Sequence, residues 1–460
     1  MMLKQYKYIY FLGIGGIGMS ALARWFKING FEVAGYDRTP TALTDTLQEE
    51  GISVHFEDSV AMIPADFLQN TTQTLVVLTP AVPADHSEYN YLKDNGFTIQ
   101  KRSQVLGLIA GGMFTIGIAG THGKTTTSSM TAHLLRHAGV NCSAFLGGIT
   151  QNYGTNMLLN EPADDLSQVP CIVEADEFDR SFLTLFPEIA VVTSTDADHL
   201  DIYGSHASVL DSFSAYVSQI KPSGRLFMRT GLELADKTRA QVAEYSLNEG
   251  DYHAENVHIE NACFIFDAVH PNGRINNLTL QVPGFHNVEN AIAAIAVGLE
   301  IGLSEEQIRS GINTFGGVKR RFEYYLKTDS KVLIDDYAHH PAEVSAFLSS
   351  AKALYPDRHV TAIFQPHLYS RTRDFSEEFA KSLSLADSVI LLDIYPAREL
   401  PIQGVTSDLI FDRITCDKVL CKKSELVELI KNRSTDVVAT IGAGDIDRYI
   451  EPIKTVLQSV

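Results

Sequence analysis

The stretch FTIGIAGTHGKTTTSSMT, residues 114–131, decides how the rest of the chain is read. Phe114 to Ala119 is an apolar run of strand type, and Lys124-Thr125-Thr126-Thr127 opens a helical stretch that ends at Gly139. Between them lies a tight turn, Gly120-Thr121-His122-Gly123. A strand, a glycine turn and a helix N-terminus make an anion cradle. The glycines let backbone N–H groups close on phosphate oxygens, the helix dipole favours negative charge, and a lysine reaches the outer phosphates. A threonine hydroxyl beside the lysine can sit on Mg²⁺. The strict eight-residue P-loop pattern is not met, because position 118 is Ile and not Gly. A bare GxxGKT string can arise by chance, but an apolar strand before it and a helix after it predict ATP binding.

Upstream, Tyr8 to Leu12 predicts a first strand, Gly13-Ile14-Gly15-Gly16-Ile17-Gly18 is a literal GxGxxG, and Met19 to Asn29 reads as a helix. A second strand, Gly30 to Asp37, ends in an acid. This is the layout of a site for a diphosphate-bearing ligand. NAD is the usual ligand of such a loop. However, strand-like runs recur only at Thr74 to Leu78 and Phe97 to Ile99 before the second glycine loop at 120, which leaves little room for six strands. Asp37 is either a ribose ligand or a solvated acid at a strand end.

Downstream, Cys171-Ile172-Val173 leads into Glu174-Ala175-Asp176-Glu177-Phe178-Asp179, a strand ending in acids, where a P-loop protein places a carboxylate for Mg²⁺. Ile189 to Thr193 empties into Asp196-Ala197-Asp198-His199-Leu200-Asp201, and a histidine among three acids is a candidate ligand of a second metal or its water shell. Residues 221–283 read as a β-rich flank. Asn287 and Asn290 precede a helix over Ala291 to Gly302. Asn287 is either a helix cap, or one of an i, i+3 pair of amides on a purine edge. Arg320 and Arg321 form a solvated basic spot or deliver a guanidinium to phosphate. Four further apolar strands, at Val332, His359, Ser388 and Val437, end in polar clusters and predict a third α/β region with a parallel sheet.

Composition sets the bounds. The 460 residues suggest three domains, and 45% hydrophobic with 20% charged content supplies a large core. A formal charge of −19 argues against nucleic acid and anionic membranes as partners. No apolar stretch is long enough to span a bilayer and no leader precedes the first strand, so the expectation is a cytoplasmic protein. Five scattered cysteines without a CxxC pair fit reduced thiols.

Taken together, the motifs resemble those of the Mur ligase family over essentially the full length. They are GIGGIGMSALA at 13, AGTHGKTTT at 119, EADEFDRSFL at 174, DADHLDIYG at 196, PGFHNVENAIAA at 283, RRFE at 320, DDYAHHPAEV at 335, FQPHLYSRTRDF at 364 and YPARELPIQGV at 395. The resemblance implies an α/β protein of three domains. These are an N-terminal Rossmann-like UDP-binding domain over 1–108, a central P-loop ATPase-type domain over 109–320, and a C-terminal Rossmann-like domain over 321–460 that brings the amino acid. It implies an ATP-dependent, amide-forming ligase that joins L-alanine to the carboxylate of UDP-N-acetylmuramate through an acyl phosphate. Residue by residue, it implies that Gly120, Thr121, His122, Gly123, Lys124, Thr125 and Thr126 hold the ATP phosphates. Thr125 and Glu174 would bind one Mg²⁺ and His199 a second. Asn287 and Asn290 would meet adenine, Asp336 the ribose and Arg321 the γ-phosphate. His339, Arg371 and Arg373 would serve the amino acid and acyl carboxylate. Gly15, Gly16, Gly18 and Asp37 would belong to the UDP-sugar site, which replaces NAD by a uridine diphosphate.

Several relatives carry a carbamylated lysine after the metal histidine, and no Lys occurs here between His199 and Lys221. The alanine-adding branch is similar in lacking it. A branch that recycles a whole tripeptide onto the same sugar is the nearest rival. Outside the family, a nicotinamide-dependent dehydrogenase leaves Lys124, Glu174 and His199 unexplained, and a non-catalytic ATP switch lacks a charged or amphipathic docking segment.

Overall fold

Short apolar and β-branched runs near the start of the chain pair into a five-stranded sheet: β1 (Tyr8–Leu12), β2 (Glu32–Tyr36), β3 (Ser53–His55), β4 (Thr74–Leu78) and β5 (Thr98–Lys101), in the order β3-β2-β1-β4-β5. Every pair is parallel. β1 is buried at each residue, as expected of a strand covered on both faces. The computed structural model describes residues 2–79, 82–178, 180–197, 200–397 and 399–459. The glycine loop after β1 feeds the helix Ile17–Ile28, whose Trp25 and Phe26 are fully buried. Five strands stand where a complete dinucleotide fold has six, in line with the short span before residue 114.

The second sheet comprises β6 (Phe114–Ala119), β7 (Ser143–Phe145), β8 (Met157–Leu158), β9 (Pro170–Ala175), β10 (Ile189–Val192), β11 (Arg225–Arg229) and β12 (Gln241–Tyr245). Its order is β12-β11-β10-β6-β9-β7-β8. β6 sits centrally and pairs in parallel with β9 and β10, so the loops leaving these three strands emerge side by side. Apart from Tyr245, both sheets belong to one compact unit, Met1–Lys124, Leu135–Gly147 and Asn156–Glu244. One apolar cluster within it includes Phe11, Trp25, Val173, Ala190 and Phe213.

The other unit comprises Thr125–Leu134, Gly148–Thr155 and Tyr245–Val460. It opens with an antiparallel meander of β13 (His253–Glu260), β14 (Cys263–His270) and β15 (Gly273–Leu280). The β-rich flank expected over 221–283 is therefore present as β11 to β15. The helix Phe285–Ile301 follows. A six-stranded sheet then forms from β16 (Glu323–Lys327), β17 (Val332–Asp336), β18 (Val360–Phe364), β19 (Ser388–Leu391), β20 (Asp417–Leu420) and β21 (Val437–Ile441), ordered β16-β17-β21-β18-β19-β20. β16 runs antiparallel to β17 and the other pairs are parallel. The four strands read from sequence are the fully buried ones. The two missed, β16 and β20, are half-buried edge strands without a continuous apolar run.

Candidate active site

The glycine loop leaves the central strand β6 and reaches the helix Lys124–His137 in four residues. Gly120 has φ 138°, and a Cβ placed there would run into Thr193 Oγ1 and lie 2.8 Å from Ser194 N. Gly123 has φ 80°. Both positions need glycine, the first for space as well as for conformation. The loop is stitched to the segment after β10. Thr121 N donates to Ser194 O at 3.1 Å, His122 N to Ser194 Oγ at 2.9 Å, and Asp196 N to Thr121 Oγ1 at 3.1 Å. His122 Nε2 lies 3.6 Å from Asp196.

Lys124 folds back over its own loop. Its Nζ donates to Gly120 O at 2.6 Å and to both Glu177 carboxylate oxygens at 2.7 and 2.9 Å. Burial works against its charge, but Glu177, Asp176 and Glu174 outweigh burial and hold the ammonium above its usual range. Glu174 lies inside β9, level with Ile118 of β6, and its carboxylate accepts from Gly147 N at 2.8 Å. The acids at the end of this strand thus have separate partners: Glu174 the Gly147 backbone, Glu177 the loop lysine. His199 lies outside the described residues. Among the described residues no cluster of three or more His, Cys, Asp or Glu side chains could by itself hold a metal.

In the N-terminal glycine loop, Asp37 Oδ2 accepts from Gly15 N at 2.7 Å and Oδ1 from Thr39 N at 3.1 Å, so this acid braces the turn. Gly16 caps the helix with extended backbone, and a Cβ on Gly18 would lie 3.1 to 3.5 Å from the Arg102 side chain. Arg102, about eighty residues downstream, had no sequence signal linking it to this loop.

In the second unit, the helix expected from Ala291 begins at Phe285. Its N-cap is Gly284, with no side-chain cap bond, so the cap reading of Asn287 is corrected. The chain can enter the helix early because Gly284 adopts φ 121°. Asn287 Nδ2 instead donates to Pro283 O at 2.6 Å, Asn290 Nδ2 donates to Asn287 Oδ1 at 3.3 Å, and Thr127 Oγ1 donates to Asn290 Oδ1 at 3.2 Å. The two amides form one buried relay. The neighbouring His286 is half-buried, and loss of hydration together with Arg321 pushes it down to about 4.

Arg321 is framed by two residues of positive φ, Arg320 at 60° and Phe322 at 49°. Its guanidinium stacks 5.4 Å over the Tyr337 ring and lies 3.7 Å from Glu343. Arg320 lies over the same ring at 5.2 Å and bonds Asp335 at 2.9 Å and Gly442 O at 2.7 Å. Asp336 accepts from Phe322 N and Ala338 N, each at 2.8 Å, and burial raises its carboxyl to about 7. His339 Nδ1 lies 3.0 Å from Tyr337 O and 3.6 Å from Glu343, and burial lowers its pKa. His339 also stacks edge-on against His367. The two arginines of the RTR run part company: Arg371 is buried, while Arg373 is exposed and forks onto Asp374 at 2.6 and 3.0 Å.

Three family profiles match in succession: "Mur ligase family, catalytic domain" over residues 8–113, "Mur ligase middle domain" over 118–298, and "Mur ligase, glutamate ligase domain" over 320–444. The chain is 51% identical over 451 residues to the UDP-N-acetylmuramate–L-alanine ligase of Phocaeicola vulgatus, covering 97% of each chain. It is 48% identical over 460 residues to the enzyme of that name from Porphyromonas gingivalis, covering 99% of this chain and all of the other. Among solved structures it resembles the UDP-N-acetylmuramate-alanine ligase of Thermotoga maritima, with TM-score 0.75 and 29% identity over 98% of this chain and 99% of the other. A murein peptide ligase of Psychrobacter arcticus shares the fold, with TM-score 0.64 and 24% identity over 99% of each chain. Matched along three consecutive profiles and by half-identical relatives of its own length, the chain belongs to the Mur ligase family.

Proposed function

We propose that the chain joins L-alanine to the carboxylate of UDP-N-acetylmuramate at the expense of ATP, as a cytoplasmic step of peptidoglycan precursor synthesis. The observation that carries this reading is the lysine-bearing glycine loop on β6 with Glu174 on the adjacent strand β9. The names of the half-identical relatives support the choice of substrates.

A carboxylate is a poor electrophile. Its oxygen would bond to the γ-phosphorus as the bond to ADP breaks, giving an acyl phosphate. The neutral amine of alanine would then attack the acyl carbon, and phosphate would leave as the nitrogen loses a proton. Positioning and charge neutralisation supply most of the catalysis in such transfers. Lys124 and Arg321 would neutralise the transferring phosphoryl group, and the Gly120 to Thr126 loop would hold the other phosphates.

The oxygens of Thr125 and Glu174, with His199 for a second ion, fit Mg²⁺, which takes few protein ligands beside phosphate oxygens. When bound, the metal would neutralise charge on the β- and γ-phosphates. Asn287 and Asn290, whose amides carry both donor and acceptor groups, would meet an adenine edge. Asp336 would receive a ribose hydroxyl on a carboxylate already ordered by two backbone N–H groups. His339, Arg371 and Arg373 are assigned to the alanine and acyl carboxylate. Gly15, Gly16, Gly18 and Asp37 are assigned to the uridine diphosphate. The corresponding domains span 1–108, 109–320 and 321–460.

The test is phosphate release from MgATP with UDP-N-acetylmuramate, with and without L-alanine. We expect release only with both, and a loss of at least a hundredfold in Lys124→Ala. Release with a tripeptide and not with alanine would reassign the chain to the recycling branch.

A further inference from the structure

Among the described residues of the EADEFD run, Glu177 is the acid hydrogen-bonded to the loop lysine, and its partners bear on how nucleotide enters. An ammonium has three N–H donors. Those of Lys124 face three oxygens at 2.6, 2.7 and 2.9 Å: Gly120 O and both oxygens of Glu177. Among the described residues, its three donors thus have three protein oxygens as acceptors. Glu177 is 1% exposed, so water screens the pair little.

The Glu177 main chain is fixed as well. Its carbonyl accepts from Tyr203 Oη at 2.5 Å and from Arg180 N at 2.9 Å, and Arg180 stacks on the Tyr203 ring at 5.3 Å. Arg180 itself holds left-handed backbone at φ 59°. The acid therefore sits on a braced turn, while the lysine ends a four-carbon stem. Of its three acceptors, Gly120 O belongs to the loop that would carry the phosphates. The carboxylate is the acceptor a phosphate oxygen would replace, because two anions would otherwise share one cation in a buried site.

We propose that Glu177 is a positioning residue that latches Lys124 in the nucleotide-free protein, and that phosphate must displace its carboxylate for nucleotide to bind. The latch keeps a buried cation paired while the site is empty and lowers nucleotide affinity in exchange. It also sets a fixed start point from which the lysine swings toward phosphate. This inference rests on reading the loop as a nucleotide phosphate site.

The experiment measures ADP affinity of the full chain by calorimetry, in EDTA so that no metal contributes, for wild type, Glu177→Gln, Lys124→Ala and the double variant. Glu177→Gln keeps shape and one acceptor but removes the charge. It is expected to bind ADP about tenfold more tightly than wild type, a factor worth about 1.4 kcal/mol. In the Lys124→Ala background the same substitution is expected to change affinity less than twofold, since the latch is already open. Glu177→Asp withdraws the carboxylate by one methylene and is expected to give a smaller gain of the same sign, which keeps the test open if the Gln variant does not fold. A merely structural acid would show weaker binding on substitution. Unchanged or weaker binding in a folded variant overturns the proposal, as does a gain that persists without Lys124. If wild type binds no ADP, the phosphate-site reading falls and the latch falls with it. If wild type binds and Glu177→Gln does not tighten, only the latch falls.

Discussion

Glu88 shows what burial does to a single side chain away from the glycine loops. It is fully buried, accepts from Tyr10 Oη at 2.6 Å and from Ser59 N at 3.1 Å, and lies 3.5 Å from His55. Burial raises its carboxyl from the ordinary 4.5 to about 7. The folded protein therefore holds a proton that the unfolded chain releases, so its contribution to stability is complete below about pH 4.5 and is lost as pH rises toward 7. His55 and His86, both lowered by burial, act in the opposite sense over the acid part of that window. Glu88→Gln should remove the falling component. Melting temperature followed from pH 4.5 to 7.5 should decline less steeply in the variant, and an unchanged slope would show that Glu88 is already ionised in the fold. Legibility at this scale was uneven. Lys124 was plain because its loop, strand and helix agree. Glu177 was not, because four acids in six residues offer no spacing that says which one reaches back. The end of β9 at Ala175 decides that, leaving Glu174 in the sheet and Glu177 on the turn.

Among the elements, the turn from β6 into its helix has the least tolerance. Gly120→Ala would place a methyl against Thr193 Oγ1 and Ser194 N while forcing a side chain into φ 138°. A cost of about 2 kcal/mol or more follows from conformation and contact together. The expected result is a lower melting temperature and loss of ADP binding with Lys124 intact, read by thermal denaturation and calorimetry on one preparation. A variant that binds as wild type would show that the loop closes another way. Strands such as β1 and β6 were legible because a central parallel strand is an unbroken apolar run. The start of the helix Phe285–Ile301 was not, because Gly284 and the buried amides of Asn287 and Asn290 disguise its first turn as a loop.

At the scale of the whole molecule, composition foretold reduced thiols, and all five cysteines are free. Cys142, Cys171 and Cys421 are buried, whereas Cys263 and Cys416 are half-exposed. Burial pushes the Cys142 thiol up to about 11 and raises Cys171 further. A disulfide reagent at pH 8 should react first with Cys263 and Cys416, reach all five only after denaturation, and leave the melting temperature indifferent to added reductant. Rapid reaction of five thiols in the native protein would contradict the buried placement. The order of strands in the sheets was less legible than the strands themselves, since parallel partners are chosen by crossovers distant in sequence. β6 illustrates the point, because its neighbours β9 and β10 begin only at Pro170 and Ile189. A ribosome delivers the chain from its N-terminus, so the lysine loop emerges well before either strand that flanks it. Until residue 175 has cleared the exit tunnel β6 has two unpaired edges, and until residue 192 has cleared it one remains, so the nascent polypeptide must be kept from sticking elsewhere for the seconds that synthesis of that interval takes.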